Sequence, residues 1–151
     1  MLGAYMCVPP LQTNDRTIEL RPIGVVESTL RDVAAAPNQG DEGAPDAWVR
    51  LEPFVLPALV GLAPGAEVIV ITWLDRARRD VLQVHPRGDR SRTQQGVFST
   101  RSPHRPNPIG LHRVRVIAVD RGSLHVSGLE AVAGTPVLDM KPVLSGEVAE
   151  R

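Results

Sequence analysis

The stretch E-V-I-V-I-T-W-L, Glu67 to Leu74, constrains this chain most. Val68 to Thr72 are all β-branched, stiff at χ1 and suited to a pleated surface, and the Pro64-Gly65 turn bounds them, so they read as a central strand. Shorter segments of the same character surround it. Thr17, Ile18 and Leu20, then Ile23, Val25 and Val26, suggest a strand interrupted at Pro22, and Trp48 to Phe54 alternates. Val81, Leu82 and Val84 begin another, and Val97-Phe98 looks like the end of a buried one. Leu111 to Val119 puts Val114 and Val116 on one face and Arg113 and Arg115 on the other. Asp120-Arg121-Gly122 then turns the chain into Leu124 to Leu129, and Val137 to Val143 closes the series. Only Val55 to Leu62 reads as a short helix. Many short strands without strand-helix-strand alternation predict a mainly β, antiparallel barrel or sandwich.

The loop from Gly96 to Gly110, G-V-F-S-T-R-S-P-H-R-P-N-P-I-G, is the densest in chemistry. Pro103, Pro106 and Pro108 fix their own φ and bias Ser102, Arg105 and Asn107 toward extended backbone, so Arg101, His104 and Arg105 sit on a partly ordered frame. Pre-shaping lowers the ordering cost of clamping a carboxylate, phosphate or nucleotide. The chain carries no net charge, yet ten arginines lie between Arg76 and Arg115 against only Asp80 and Asp89. That asymmetry predicts a basic face for an anionic partner.

A length of 151 residues suits one domain, with 1–16 and 146–151 as tails and 17–145 as the folded unit. No apolar run is long enough to span a membrane and no leader pattern opens the chain, so a cytoplasmic protein is expected. Cys7 is alone, which excludes an internal disulfide, and His85, His104, His112 and His125 lack a ligand spacing, so no metal is expected. Glycine-rich nucleotide fingerprints and a G-x-S-x-G elbow are absent. Among the acids near strand ends, Glu130 reads as a solvated charge, while Asp75 and Asp139 are candidates for proton removal. Asp139 also has Lys141 as a ready ion-pair partner.

Thr100, Arg101, Ser102 and Arg105 to Gly110 match T-R-S-x-x-R-P-N-P-I-G, and the chain here resembles the TsaA-like family, known for TrmO-type tRNA methyltransferases. P-I-G-V-V-E-S at 22–28, H-P-R-G-D at 85–89 and G-T-P-V-L-D-M-K-P at 134–142 look like further blocks of that family in the same order. The resemblance implies a single-sheet β-barrel, a homodimer and S-adenosyl-L-methionine as cofactor. It places the cofactor against Pro37, Asn38 and Gln39, Asp75 and Arg76, Arg101, Leu111, and the turn Ala133, Gly134, Thr135 and Pro136. Asn38 stands where arginine is common in the family and Ala133 where aspartate is.

By the same resemblance the acceptor is the N6 nitrogen of threonylcarbamoyl-adenosine beside the tRNA anticodon, with His104, Arg105, Asn107 and Lys141 as substrate contacts. Two other functions fit the residues: methylation of a small molecule, and a non-catalytic module that binds S-adenosylmethionine. Methyl transfer asks the protein chiefly to align donor and acceptor and to exclude water.

Overall fold

The computed structural model describes residues 17–37 and 42–144. The expected tails with Cys7, and Asn38 and Gln39 of the cofactor set, lie outside the described residues. The described residues form eight strands: β1 (Gly24–Glu27), β2 (Ala47–Leu51), β3 (Glu67–Trp73), β4 (Gln83–Val84), β5 (Gln95–Gly96), β6 (Ile109–Asp120), β7 (Ser123–Val126) and β8 (Pro136–Pro142). Six of them pair antiparallel in a closed ring, β1-β2-β7-β6-β3-β8 and back to β1, while β4 and β5 form a separate two-stranded ladder.

β3 occupies the central place expected of it, pairing with β6 from Glu67↔Arg115 to Trp73↔Ile109 and with β8 on its other side. The period of two sends Val68, Val70 and Thr72 inward and leaves Ile69 and Ile71 on the outer face. β6 repeats this with His112, Val114 and Val116 inside and Arg113 and Arg115 outside. The interior is valine-rich: Val26, Val49, Val70, Val116, Val126 and Val137 are fully buried with Leu124 and Leu129. Each such side chain contributes roughly 1.5 kcal/mol or more by leaving water.

Three local expectations change. Residues 17–23 form no strand, since pairing begins at Gly24 and Ile18 is exposed. The expected helix Val55–Leu62 is a 3-10 segment over Pro53–Leu59. Pro57, inside the segment, lacks the N–H an α-helix would use, and the segment is held by short-range bonds such as Val55 N–H to Glu52 O (3.1 Å). Val97 and Phe98 belong to a 3-10 turn, Val97–Ser99, and not to a strand; Val97 points in and Phe98 points out. No helix of the described residues is long and apolar enough to cross a membrane.

Candidate functional site

The ring is least zipped where β1 meets β8, at Gly24↔Val137 and Val25↔Pro136 only. Beyond that point the strands part, and the turn before β8 takes over the hydrogen bonds. Val26 N–H donates to Thr135 O (3.0 Å), Gly134 N–H to Val26 O (2.8 Å) and Ala133 N–H to Leu30 O (2.7 Å). Gly134 has φ +88°, a left-handed conformation that glycine adopts without a Cβ penalty. The buried Thr135 hydroxyl donates to Val132 O at 2.7 Å and locks the turn.

Two hollows flank this seam. One, of about 380 Å³, is lined by Val25 to Ser28, Arg31, Ala133 and Gly134. The other, of about 70 Å³, has apolar walls from Val33, Leu74, Ala77, Pro103 and Val132, with Asp75, Arg76, His104 and Thr135 at its edges. Arg76 links them, because its guanidinium donates to Arg31 O (3.0 Å) and Ala133 O (3.3 Å). Asp75, Arg76, Ala133, Gly134, Thr135 and Pro136, far apart in sequence, thus come together. Pro37 ends the described part of the loop whose Val33 lines the smaller hollow.

The arginine-rich loop folds onto the segment after β3. Leu74 N–H donates to Pro108 O (2.8 Å), Arg105 N–H to Arg78 O (3.1 Å) and Arg78 N–H to Nδ1 of His104 (3.0 Å). Arg79 donates to Pro106 O (3.0 Å), approaches Asn107 Oδ1 (3.5 Å) and lies over the Trp73 ring. The Arg105 guanidinium turns inward, donating to Thr100 O (2.9 Å) and Val97 O, and its Nε is buried without a partner. In this structure Arg105 shapes the loop from within.

Arg101 and Leu111 form a second group, on the outer face of the ring, where Arg101 Nη2 reaches Leu111 O at 3.5 Å. Across β3 from Leu111, by way of Ile71, lies Asp139, exposed and paired with Lys141 at 3.2 Å. Among the described residues the expected cofactor set therefore falls into two clusters, one at the seam and one on this outer face, while Arg105 and Asn107 stay with the arginine-rich loop.

Inside the ring is a polar chain that the sequence reading missed. His112 Nε2 meets the Thr72 hydroxyl at 2.7 Å and its Nδ1 meets Glu130 Oε1 at 2.7 Å. Glu130, expected as a solvated charge, has a side chain only 15% exposed, with Oε2 buried and unpartnered. The available signal was parity, since His112 shares the inward register of Val114 and Val116. A Cβ at Gly110 would stand 2.4 Å from Thr72 Oγ1 and 2.6 Å from His112 Nε2, which accounts for glycine at that position.

The fold also sorts the ten arginines. Arg78 pairs with Asp80, Arg87 with Glu42, Arg92 with Asp89, and Arg113 and Arg115 share Glu67. The hydrogen bond from Arg78 holds the Asp80 carboxyl below its usual range, and Ser91 does the same for Asp89. Among the described residues Arg76, Arg79, Arg90, Arg101 and Arg105 have no carboxylate partner, and these carry the positive excess. No cluster of His, Cys, Asp and Glu suited to a metal occurs among the described residues.

The seam fits the cofactor the resemblance implies. A hollow of about 380 Å³ falls in the size range of small-molecule sites. The open position at Gly134, where a Cβ would come within 4.0 Å of Arg76, lets a ligand approach the backbone beside a cation. Asp75 supplies an acid and Val33, Leu74 and Val132 an apolar wall.

Residues 25–146 match the family described as the tRNA-methyltransferase O N-terminal domain. A "Probable S-adenosyl-L-methionine-binding protein" of Methanothermobacter thermautotrophicus is 42% identical over 129 residues, covering 85% of this chain and 92% of that protein. A rat "tRNA (adenine(37)-N6)-methyltransferase" is 50% identical over 145 residues, 91% of this chain but 33% of that protein. The crystal structure of TrmO from Pseudomonas aeruginosa superposes with a TM-score of 0.70 at 32% identity, over 90% of this chain and 61% of that one.

Proposed function

Because the chain belongs to the family of the tRNA-methyltransferase O N-terminal domain, we propose that it binds S-adenosyl-L-methionine and methylates tRNA at the N6 nitrogen of threonylcarbamoyl-adenosine beside the anticodon. The observation that carries this reading is the convergence of Asp75, Arg76 and the Ala133–Pro136 turn at the parted seam. When bound, S-adenosylmethionine supplies an activated methyl on a sulfonium that leaves as a neutral thioether.

The chain's own residues bind, orient and exclude water. Arg76 and Asp75 offer opposite charges for the amino-acid end, Gly134 and Ala133 offer backbone groups, and Val33, Leu74 and Val132 shield an apolar surface. Pro37, Asn38 and Gln39 complete that side. Arg101 and Leu111 face outward from the ring, and a homodimer in which they meet the seam of a second copy would bring the whole set together. His104, Asn107 and Lys141, with Arg79 and Arg90, are assigned to the RNA, for which guanidinium geometry suits phosphate and carboxylate alike. Asp75 at the hollow, or Asp139 beside Lys141, accepts the nitrogen proton. The closed ring is read as the family's barrel, and the protein as cytoplasmic.

Calorimetric titration with S-adenosylmethionine is the direct test. Saturable binding weakened by Arg76→Ala and by Arg101→Ala is expected, and folded protein that gives no heat would sink the assignment. Incubation with labelled cofactor and tRNA, followed by nucleoside analysis, tests the acceptor. An undiminished single-turnover rate in Asp75→Asn or Asp139→Asn removes that residue from proton transfer. A second reading, a binding module without transfer, is favoured by one fact: the archaeal relative nearly equal in span is named only for binding. That reading predicts cofactor heat with no methylated product.

A further inference from the structure

The turn that replaces the expected strand at Val97–Phe98 is built to hold an aromatic ring out in solvent. Val97 is anchored at 2% exposure while Phe98 stands at 88%. The backbone between them is pinned from every side. Val97 N–H donates to Leu82 O (3.0 Å), the Ser99 hydroxyl to Gly96 O (2.8 Å) and the Thr100 hydroxyl to Val97 O (3.1 Å). From below, the Arg105 guanidinium donates to the carbonyls of Val97 and Thr100. A solitary exposed apolar residue such as Val60 is ordinary on a protein surface. An aromatic side chain carried on a turn whose flanking backbone is held by these five hydrogen bonds is a different object, since the backbone that bears it is shaped before any contact is made.

Its surroundings define the ligand. Leu82, 65% exposed, adjoins the turn through the bond from Val97. Arg101 follows three residues on, and Arg90 lies in the connection between β4 and β5; neither has a carboxylate partner among the described residues. An exposed flat apolar ring on a segment that also carries cations without carboxylate partners complements a flat base attached to phosphate. Every nucleobase has a π-face, and aromatic side chains flanked by cations are the common platform for unstacked bases of single-stranded RNA. We infer that Phe98, on the turn that bonds to Leu82, is a stacking platform for an unpaired base of the RNA substrate, with Arg90 on an adjoining phosphate. This rests on the proposed RNA acceptor and adds the element that would distinguish a loop nucleotide from a duplex.

The test uses the full chain and an anticodon stem-loop RNA, with a plain RNA duplex as control, at low salt. Phe98→Ala and Phe98→Leu are expected to weaken stem-loop binding roughly tenfold or more and to leave duplex binding unchanged, while Phe98→Trp binds within about twofold of the wild type and its fluorescence is quenched by the RNA. Heat of S-adenosylmethionine binding and sedimentation mass are expected to be the same for all variants. Stem-loop binding by Phe98→Leu equal to wild type would reduce the residue to a greasy contact and overturn stacking. A lower mass for Phe98→Ala would make it a contact between two copies, which also overturns it. Wild-type protein that binds the cofactor but no RNA removes the RNA acceptor and this platform together, whereas intact RNA binding that ignores Phe98 removes the platform alone.

Discussion

A single methyl added at Gly110 would meet Thr72 Oγ1 at 2.4 Å and His112 Nε2 at 2.6 Å, both deep in the ring and unable to swing away. Gly110→Ala is therefore expected to destabilise by about 1–3 kcal/mol, read as a melting temperature several degrees lower. His112→Ala removes the central member of the chain and leaves Thr72 and Glu130 buried without partners, at a cost of about 1–3 kcal/mol for each orphaned group. Because the second change opens the space the first one needs, the double variant is expected to lose less than the sum of the singles; strict additivity in a thermal cycle would disprove the coupling. What approaches Gly110 was not legible in the sequence. That knowledge requires the inward register of His112 and the return of Glu130 from beyond β7, neither of which a local pattern of charges and apolar residues records.

Between elements, the hairpin joining β6 to β7 shows how turn chemistry sets register. Arg121 and Gly122 have φ of 39° and 87°, the primed geometry of a tight hairpin, in which a non-glycine residue at the first position is strained. Arg121→Asn is expected to raise stability by about 0.5 kcal/mol in denaturant titration without moving the slope of the transition. On the outer face, Glu67 takes a hydrogen bond from Arg113 (2.9 Å), which with the charges of Arg113 and Arg115 holds its carboxyl below the ordinary value. A carboxylate whose folded pKa is depressed stabilises fully above its unfolded pKa and ceases to do so as pH falls through the folded one. The difference in melting temperature between wild type and Glu67→Gln should then be level from neutrality to about pH 5 and fade below about pH 4. A difference that persisted in strong acid, or that salt did not reduce, would contradict it. The strands were legible because β-branched residues alternate within them. The turns at Pro53–Leu59 and Val97–Ser99 were not, since apolar residues in short 3-10 turns imitate a helix in one case and a strand end in the other.

For the molecule as a whole, zero net charge conceals five arginines between Arg76 and Arg105 without carboxylate partners among the described residues. Arg76 and Arg101 serve the cofactor and Arg105 the loop; if Arg79 and Arg90 meet RNA phosphates with Lys141, the logarithm of tRNA affinity should fall with the logarithm of salt at a slope of about −2 to −3, and Arg90→Ala should flatten it by about 1. A salt-independent affinity would return the acceptor question to small molecules. The residues at the seam were legible only through family resemblance, because Asp75, Arg76 and Gly134 become neighbours through the pairing of β3 with β8, Thr72↔Val137, within the closed ring. That closure has another result. In an open sheet the outermost strands offer rows of unclaimed amide and carbonyl groups, the template on which strands of other molecules add and fibrils grow. A ring in which β1 is paired with β8 shortens such a row, since Gly24↔Val137 and Val25↔Pro136 claim the start of β8 and the turn before it bonds to Val26. Closure thereby leaves strands of other copies less backbone to add to than an open six-stranded sheet would offer.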